Sequence, residues 1–144
     1  MTRREIVLAM LAASGGRPYS PAQIQKAIFL VSRNLKDVIA SGPRFKFEPY
    51  DYGPFDASVY HEIDDLEREG LSETGYTVDS RWREYRATPD GVAAGRKLLL
   101  AMPEKRRKYF EEVSRWVRSL TFAELVSAIY KEYPEMRARS IFRG

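Results

Sequence analysis

The segment Ser20-Pro21-Ala22-Gln23 constrains this chain more than any other, because it fixes where a helix begins and which way its apolar face turns. Ser20 can accept from the amide three residues on, Gln23 can reach back to the Ser20 amide, and Pro21 takes the first helical position, where no donor is needed. Ile24, Ala27, Ile28, Val31 and Leu35 then recur at steps of three and four, the stripe of an amphipathic helix. Such a stripe is stable only against other apolar surface, so the rest of the chain has to supply it.

Upstream, a first helix is predicted from Thr2 or Arg3 to Ala13, with Ile6, Met10 and Ala13 on one face, Val7, Leu8 and Leu11 widening it, and Gly15-Gly16 ending it. Downstream of the Ser20 helix, Ser41-Gly42-Pro43 breaks the pattern. Phe45, Phe47 and Pro49 alternate with Lys46 and Glu48, so 44–49 reads as a short edge strand or an extended loop. An aromatic turn, Tyr50-Asp51-Tyr52-Gly53-Pro54-Phe55, leads into a third helix capped by Asp56, with Val59, Ile63 and Leu66 inward and Gly70 at its end.

Leu71 to Val78 and Arg83 to Thr88 predict an antiparallel hairpin that turns at Asp79-Ser80, with Gly75 interrupting its first strand and Tyr85 and Ala87 sharing a face. Thr88-Pro89 caps a fourth helix whose buried side is Val92, Leu98, Leu99 and Met102. Pro103 starts a fifth, with Phe110, Val113, Val117 and Leu120 in its stripe. Thr121-Phe122-Ala123-Glu124 is a second capping box, opening a sixth helix with Leu125, Ile129 and Tyr130 inward and Tyr133-Pro134 at its end. The basic last ten residues are expected to fray or to wait for a partner.

The expected fold is therefore mainly α with a small antiparallel β hairpin or sheet: a winged-helix core over residues 1–91, followed by a helical extension over 92–144. The extension packs back on the core or forms a dimer interface, within one compact unit. At 144 residues, 44% hydrophobic and 31% charged, the chain is long and apolar enough for one ordered domain. Zero cysteines exclude a disulfide scaffold, a thiolate nucleophile and a cysteine-built zinc site, and a single histidine, His61, leaves no metal cluster or Ser-His-Asp triad to assemble. No phosphate-binding glycine loop or dinucleotide fingerprint is present. The expectation is a non-enzymatic protein with no cofactor and no metal. No apolar run approaches the roughly 18–20 residues that span a bilayer, and Ile6 to Ala13 is too short for a leader, so a cytoplasmic protein with no membrane partner is expected.

The net charge of +4 is unevenly spread: +4 over residues 1–55, −5 over 56–70, −1 over 71–91 and +6 over 92–144. The third helix, which a winged-helix protein ordinarily lays in the major groove, is thus acidic and ill suited to a polyanion. DNA contacts would fall to other parts.

The runs Ile24-Gln25-Lys26-Ala27-Ile28-Phe29-Leu30, Phe47-Glu48-Pro49-Tyr50-Asp51-Tyr52-Gly53-Pro54-Phe55, Val59-Tyr60 through Leu66, and Gly70-Leu71 together resemble a prokaryotic winged-helix group, the YwgA-like proteins. The first half is similar to the Panacea (SocA-like) antitoxin domain. Leu125, Ile129-Tyr130 and Tyr133-Pro134-Glu135 resemble the ending of such chains, and the resemblance covers most of residues 4–136. It implies a winged-helix fold and a role as a transcriptional regulator or as the antitoxin-like partner of another protein.

Two candidate surfaces follow. Arg81, Trp82, Arg83 and Arg86 on the hairpin, with Lys105, Arg106, Arg107 and Lys108 on the fifth helix, are candidates for contact with the phosphates or minor groove of double-stranded DNA; the same residues also fit a solvated hairpin and the wet face of an amphipathic helix. Tyr50, Tyr52 and Phe55, with the acidic Asp64, Asp65 and Glu69, are candidates for gripping a protein partner or a second copy of the chain; the rings equally fit a structural plug between the second and third helices, and the carboxylates a solvated face. Tyr109, Trp116 and Tyr130 either anchor such a contact or lie between the last helices, and His61 reads as an ordinary surface or half-buried side chain. The leading expectation is a DNA-binding regulator, and the alternative is a protein-interaction adaptor.

Overall fold

Seven consecutive apolar residues, Ile6 to Ala12, make helix α1 (Arg3–Ala13) the element around which the others assemble, because a helix apolar all round has to be covered all round. In the computed structural model, which describes residues 1–79 and 81–143, every one of the seven is buried. A capping box closes the start of α1: Thr2 accepts from the Glu5 amide and Glu5 from the Thr2 amide.

Helix α2 (Pro21–Asn34) begins as expected, with Ser20 and Gln23 in reciprocal hydrogen bonds of 3.1 and 2.9 Å. The aromatic turn is a small hairpin of its own, β1 (Glu48–Tyr50) antiparallel to β2 (Gly53–Phe55). Of the two readings of 44–49, an edge strand or an extended loop, residues 44–47 take the second, with Phe45 and Phe47 half-buried, and the strand begins only at Glu48.

Helix α3 (Ser58–Arg68) buries Val59, Ile63 and Leu66. Ala57, not Asp56, flanks it directly, although Asp56 Oδ1 still accepts from the Ser58 amide at 2.8 Å. Strands β3 (Ser72–Tyr76) and β4 (Arg83–Ala87) form the wing, and Gly75 does not interrupt it: it sits in register opposite Glu84. The turn expected at Asp79-Ser80 lies, at Ser80, outside the described residues. Tyr19 bridges to Tyr85 through amide–carbonyl bonds of 2.8 and 2.9 Å, adding a rudimentary third strand. Three helices backed by this hairpin are a winged-helix layout.

The extension lies on that core. Helix α4 (Pro89–Ala101) packs along α1, α5 (Glu104–Ser119) against α2 and α1, and α6 (Phe122–Glu132) against α2. The buried side of α4 is not the expected row: Gly91, Gly95 and Leu99 face inward, while Val92, Leu98 and Met102 are only half-buried. The cause is closeness. A Cβ at Gly95 would stand 2.3 Å from the Ala12 methyl and 2.7 Å from the Leu8 carbonyl oxygen, so only glycine lets the two helix backbones meet.

The tail is also unlike the expectation. It does not fray: after a 3₁₀ turn at Pro134–Arg137 it folds over the β1–β2 loop. The Ile141 amide donates to the Asp51 carbonyl at 2.9 Å, and Tyr130 Oη bonds Ser140 Oγ at 2.6 Å. Phe142 closes against Tyr130 and Phe122. Among the described residues no helix is long and apolar enough to cross a membrane.

Candidate binding cleft

A cleft of about 1030 Å³ opens at the N-terminal end of α2. The β1–β2 hairpin walls one side with Tyr50, Tyr52 and Phe55; the wing supplies Trp82 and Arg83; α5 and α6 supply Arg118 and Phe122. Rings run continuously along it. Tyr50 stacks on Phe55 at 5.1 Å between centroids, Phe55 meets Tyr60 at 6.0 Å, and Tyr60 meets Tyr85 of β4 at 5.7 Å. Across the opening, Tyr52 meets Phe122 edge-on at 5.0 Å. Tyr50, Tyr52, Trp82 and Phe122 are each more than a third exposed, Trp82 the most at 62%.

The neighbouring pair Gln25-Lys26 builds the floor, and its two members behave in opposite ways. Gln25 is saturated: its amide clamps Asp56, accepting from the Asp56 amide at 3.1 Å and donating to its carbonyl at 2.9 Å. That clamp ties the exit of the aromatic hairpin to α2. Lys26 is 3% exposed and no described residue forms an ion pair or accepts a hydrogen bond from its Nζ. Burial alone lowers its pKa from 10.5 to about 8. Gly53, at φ +108°, passes close over the lysine; a Cβ there would lie 3.4 Å from the Tyr130 ring and 3.7 Å from Lys26 Nζ. The Tyr-Gly-Pro turn therefore needs glycine for its backbone conformation, whereas a Cβ would make only ordinary contact with Tyr130 and Lys26.

Around this floor the polar groups are held in place. Tyr60 Oη reaches the Pro21 carbonyl at 3.4 Å, and burial pushes its pKa up to about 12. Tyr19 Oη bonds the Met10 carbonyl at 2.5 Å and Ser114 Oγ at 2.6 Å, so its ring pins α5 to the start of α2; burial raises its pKa too. Arg118 lies 5.8 Å from the centre of that ring.

The two expected nucleic-acid segments are not brought together. Helix α5 runs from Arg106, which donates to the Lys36 carbonyl just beyond α2, to Arg118 at the opposite end of α2, a separation of about 18 Å at helical rise. The run Lys105–Lys108 is thus remote from the wing, and much of its charge is engaged: Arg107 faces Glu111 at 4.0 Å and Lys108 faces Glu104 at 3.2 Å, leaving Lys105 exposed. On the wing, Arg86 sits between Glu73 and Glu84, and Arg81 lies 3.9 Å from Asp79. Trp82 and Arg83 reach the cleft.

The acidic face of α3 is shielded by the chain's own arginines, which corrects the picture of a bare negative rod. Arg3 holds Glu62 at 3.0 Å, Arg4 holds Glu69 through two bonds of 2.8 and 3.1 Å, and Arg68 pairs with Asp65. Of the three candidate carboxylates, Asp64 alone is exposed without an ion pair among the described residues. His61 is exposed; Tyr130 is buried, Tyr109 half-buried, and Trp116 partly exposed. The sequence reading grouped Tyr50, Tyr52 and Phe55 with the α3 carboxylates, whereas the fold groups them with Trp82 and Arg83. Lys26, Tyr60 and Phe122 enter the sequence analysis only as helix or motif positions, and Arg118 belongs with the basic residues of the fifth helix; the signal that flags Lys26 is a lysine three and four residues before the apolar Phe29 and Leu30. No family model matches the chain, and no curated protein matches it.

Proposed function

We propose that the protein is a partner-binding module that grips an extended segment of another protein in the cleft between the wing, the β1–β2 hairpin and α6. The observation that carries this reading is the convergence of four exposed rings, Tyr50, Tyr52, Trp82 and Phe122, on one concave surface. Rings of this kind offer large rigid contact area with a polar tip, the usual anchors of a protein contact. Charge indicates which segment fits. Arg17, Lys26, Arg83 and Arg118 line the cleft against only Asp51 and Glu84, so an acidic, aromatic or aliphatic segment complements it. The YwgA- and Panacea-like resemblance agrees with an antitoxin-like adaptor of this sort.

Selection from a random displayed peptide library is the direct test. Acidic sequences bearing aromatic or aliphatic residues should enrich, and synthetic copies should bind Trp82→Ala and Phe122→Ala at least tenfold more weakly. Peptides indifferent to both substitutions would end this reading.

A second reading, DNA association through the wing, is favoured by the exposed Arg81-Trp82-Arg83 tip. It predicts a shift of random-sequence duplex that weakens steeply with salt and with Arg81→Ala and Arg83→Ala. Duplex that stays unshifted at low salt would remove it.

A further inference from the structure

We infer that Lys26 is the receptor for a carboxylate, and that the cleft takes the C-terminal end of its partner's chain with an apolar or aromatic last residue. This rests on the partner-binding reading above and names the group recognised. An ammonium this deeply buried ordinarily has an anion or several carbonyls around it, since an unpaired buried charge is among the costliest groups in a fold. Lys26 has neither among the described residues, although it lines a cleft large enough to admit a ligand. Its neighbours do not compete for the role. Gln25 is committed to Asp56, and Ser20 and Gln23 to each other, so Lys26, which lines the cleft, is the donor of the floor left without a protein acceptor among the described residues.

Depth selects a chain end over an internal acidic side chain. Gly53 lies close over Lys26, and it and its neighbour Pro54 are both buried. An internal aspartate or glutamate would have to bring backbone from both sides under that hairpin, against walls of Phe55, Tyr60 and Leu125 that cannot pair its amides. A terminus brings backbone from one side only, and the rings receive the side chain next to the carboxylate.

The minimal probes are N-acetylphenylalanine, its amide, and N-acetylglutamate α-amide, titrated into the full chain by NMR while following the Trp82 indole N–H and the Lys26 side-chain methylenes. The acid should bind at least tenfold more tightly than either amide, as expected for one charge-assisted hydrogen bond, and Lys26→Met should erase that difference while keeping the fold. Equal binding of acid and phenylalanine amide, still perturbing Trp82, would overturn the role of Lys26 but keep the cleft. Preference for the glutamate amide would overturn the chain-end assignment. Failure of all three probes to perturb Trp82 would overturn the inference and count against the partner-binding reading as well.

Discussion

The two ends of helix α2 are built from the same kinds of residue and reach opposite outcomes. At its C-terminal end the large polar side chains Arg33 and Asn34 are partnered, although the small Ser32 hydroxyl beside them is buried without a partner among the described residues. Arg33 pairs with Glu135 at 2.6 Å and lies over the Phe29 and Tyr133 rings at 5.7 and 5.2 Å; the Asn34 amide donates to Tyr109 and Tyr133; Arg106 reaches the Lys36 carbonyl. At the N-terminal end, Lys26 is buried deeper than any of these and has no such partner. The saturated end joins α2 to α5 and the 3₁₀ turn. The unsaturated end keeps a donor in reserve for something outside the chain, at a cost in stability that a purely structural residue would not carry.

The largest expected effect probes that cost. The folded pKa of Lys26 is about 8 against 10.5 for the free side chain, so the unfolded chain binds this proton more tightly. Below about pH 8 the lysine is charged in both states and its full penalty applies, while between about pH 8 and 10.5 the penalty disappears as the pH rises. Lys26→Met should therefore stabilise the protein by about 3 kcal/mol at pH 7, a gain that shrinks to nothing near pH 10.5. Tyr60 and Tyr19 act in the other direction above about pH 10, because burial holds their hydroxyls protonated in the fold. Their contribution is common to both proteins and cancels in the difference. Denaturant melts of the two proteins from pH 6 to 10.5 read it directly, and a destabilised or pH-independent variant would mean that Lys26 has a partner within the chain.

At the saturated end the sign reverses. Arg33→Ala removes two ring contacts worth together about 1 kcal/mol, with little added by an ion pair whose members are both about half exposed. The variant should be destabilised by about that amount and should bind the acid probe as the parent does. Weakened probe binding would show that the two ends are coupled through the helix and are not separate devices.

What the sequence disclosed about these two ends follows from the range of the forces involved. The start of α2 was legible because a capping box is local: Ser20, Pro21 and Gln23 decide it among themselves. The stripes of α5 and α6 were legible for the same reason, since one face of a helix is a property of its own residues. Whatever depends on contact between distant segments was not. Gly91 and Gly95 are absent from the row expected to face inward on α4, yet Gly95 is the seam where it meets α1 and Gly91 lies against the Leu71 carbonyl. Arg3 and Arg4 looked like a basic start and neutralise α3, some sixty residues away. The basic tail looked loose, yet Arg139 lies over the Tyr50 ring at 5.5 Å and Ile141 bonds Asp51. The cleft itself was half visible, its rings as an aromatic turn and its wing as an Arg-Trp-Arg tip, but nothing in the spacing places residues 50–55 beside 82–83.

The smallest effect separates charge that is dense from charge that is available. Lys105-Arg106-Arg107-Lys108 is the most concentrated positive run in the chain, and it lies toward the saturated end of α2, with Arg106, Arg107 and Lys108 each facing an oxygen of the chain itself. Replacing Lys105 with alanine should change stability by less than about 0.5 kcal/mol, as for an exposed residue without a specific partner. Acid-probe affinity should stay within twofold, because the cleft lies at the other end of the helix and mobile ions screen exposed charges beyond roughly 8–10 Å. Lys26→Gln, which removes a single positive charge of the same sign and size, should abolish the preference for acid over amide. If both substitutions reduced acid binding equally, and both losses vanished at high salt, recognition would be a matter of net charge. If only the Lys26 change mattered and it persisted in salt, the single buried donor would outweigh the run of four.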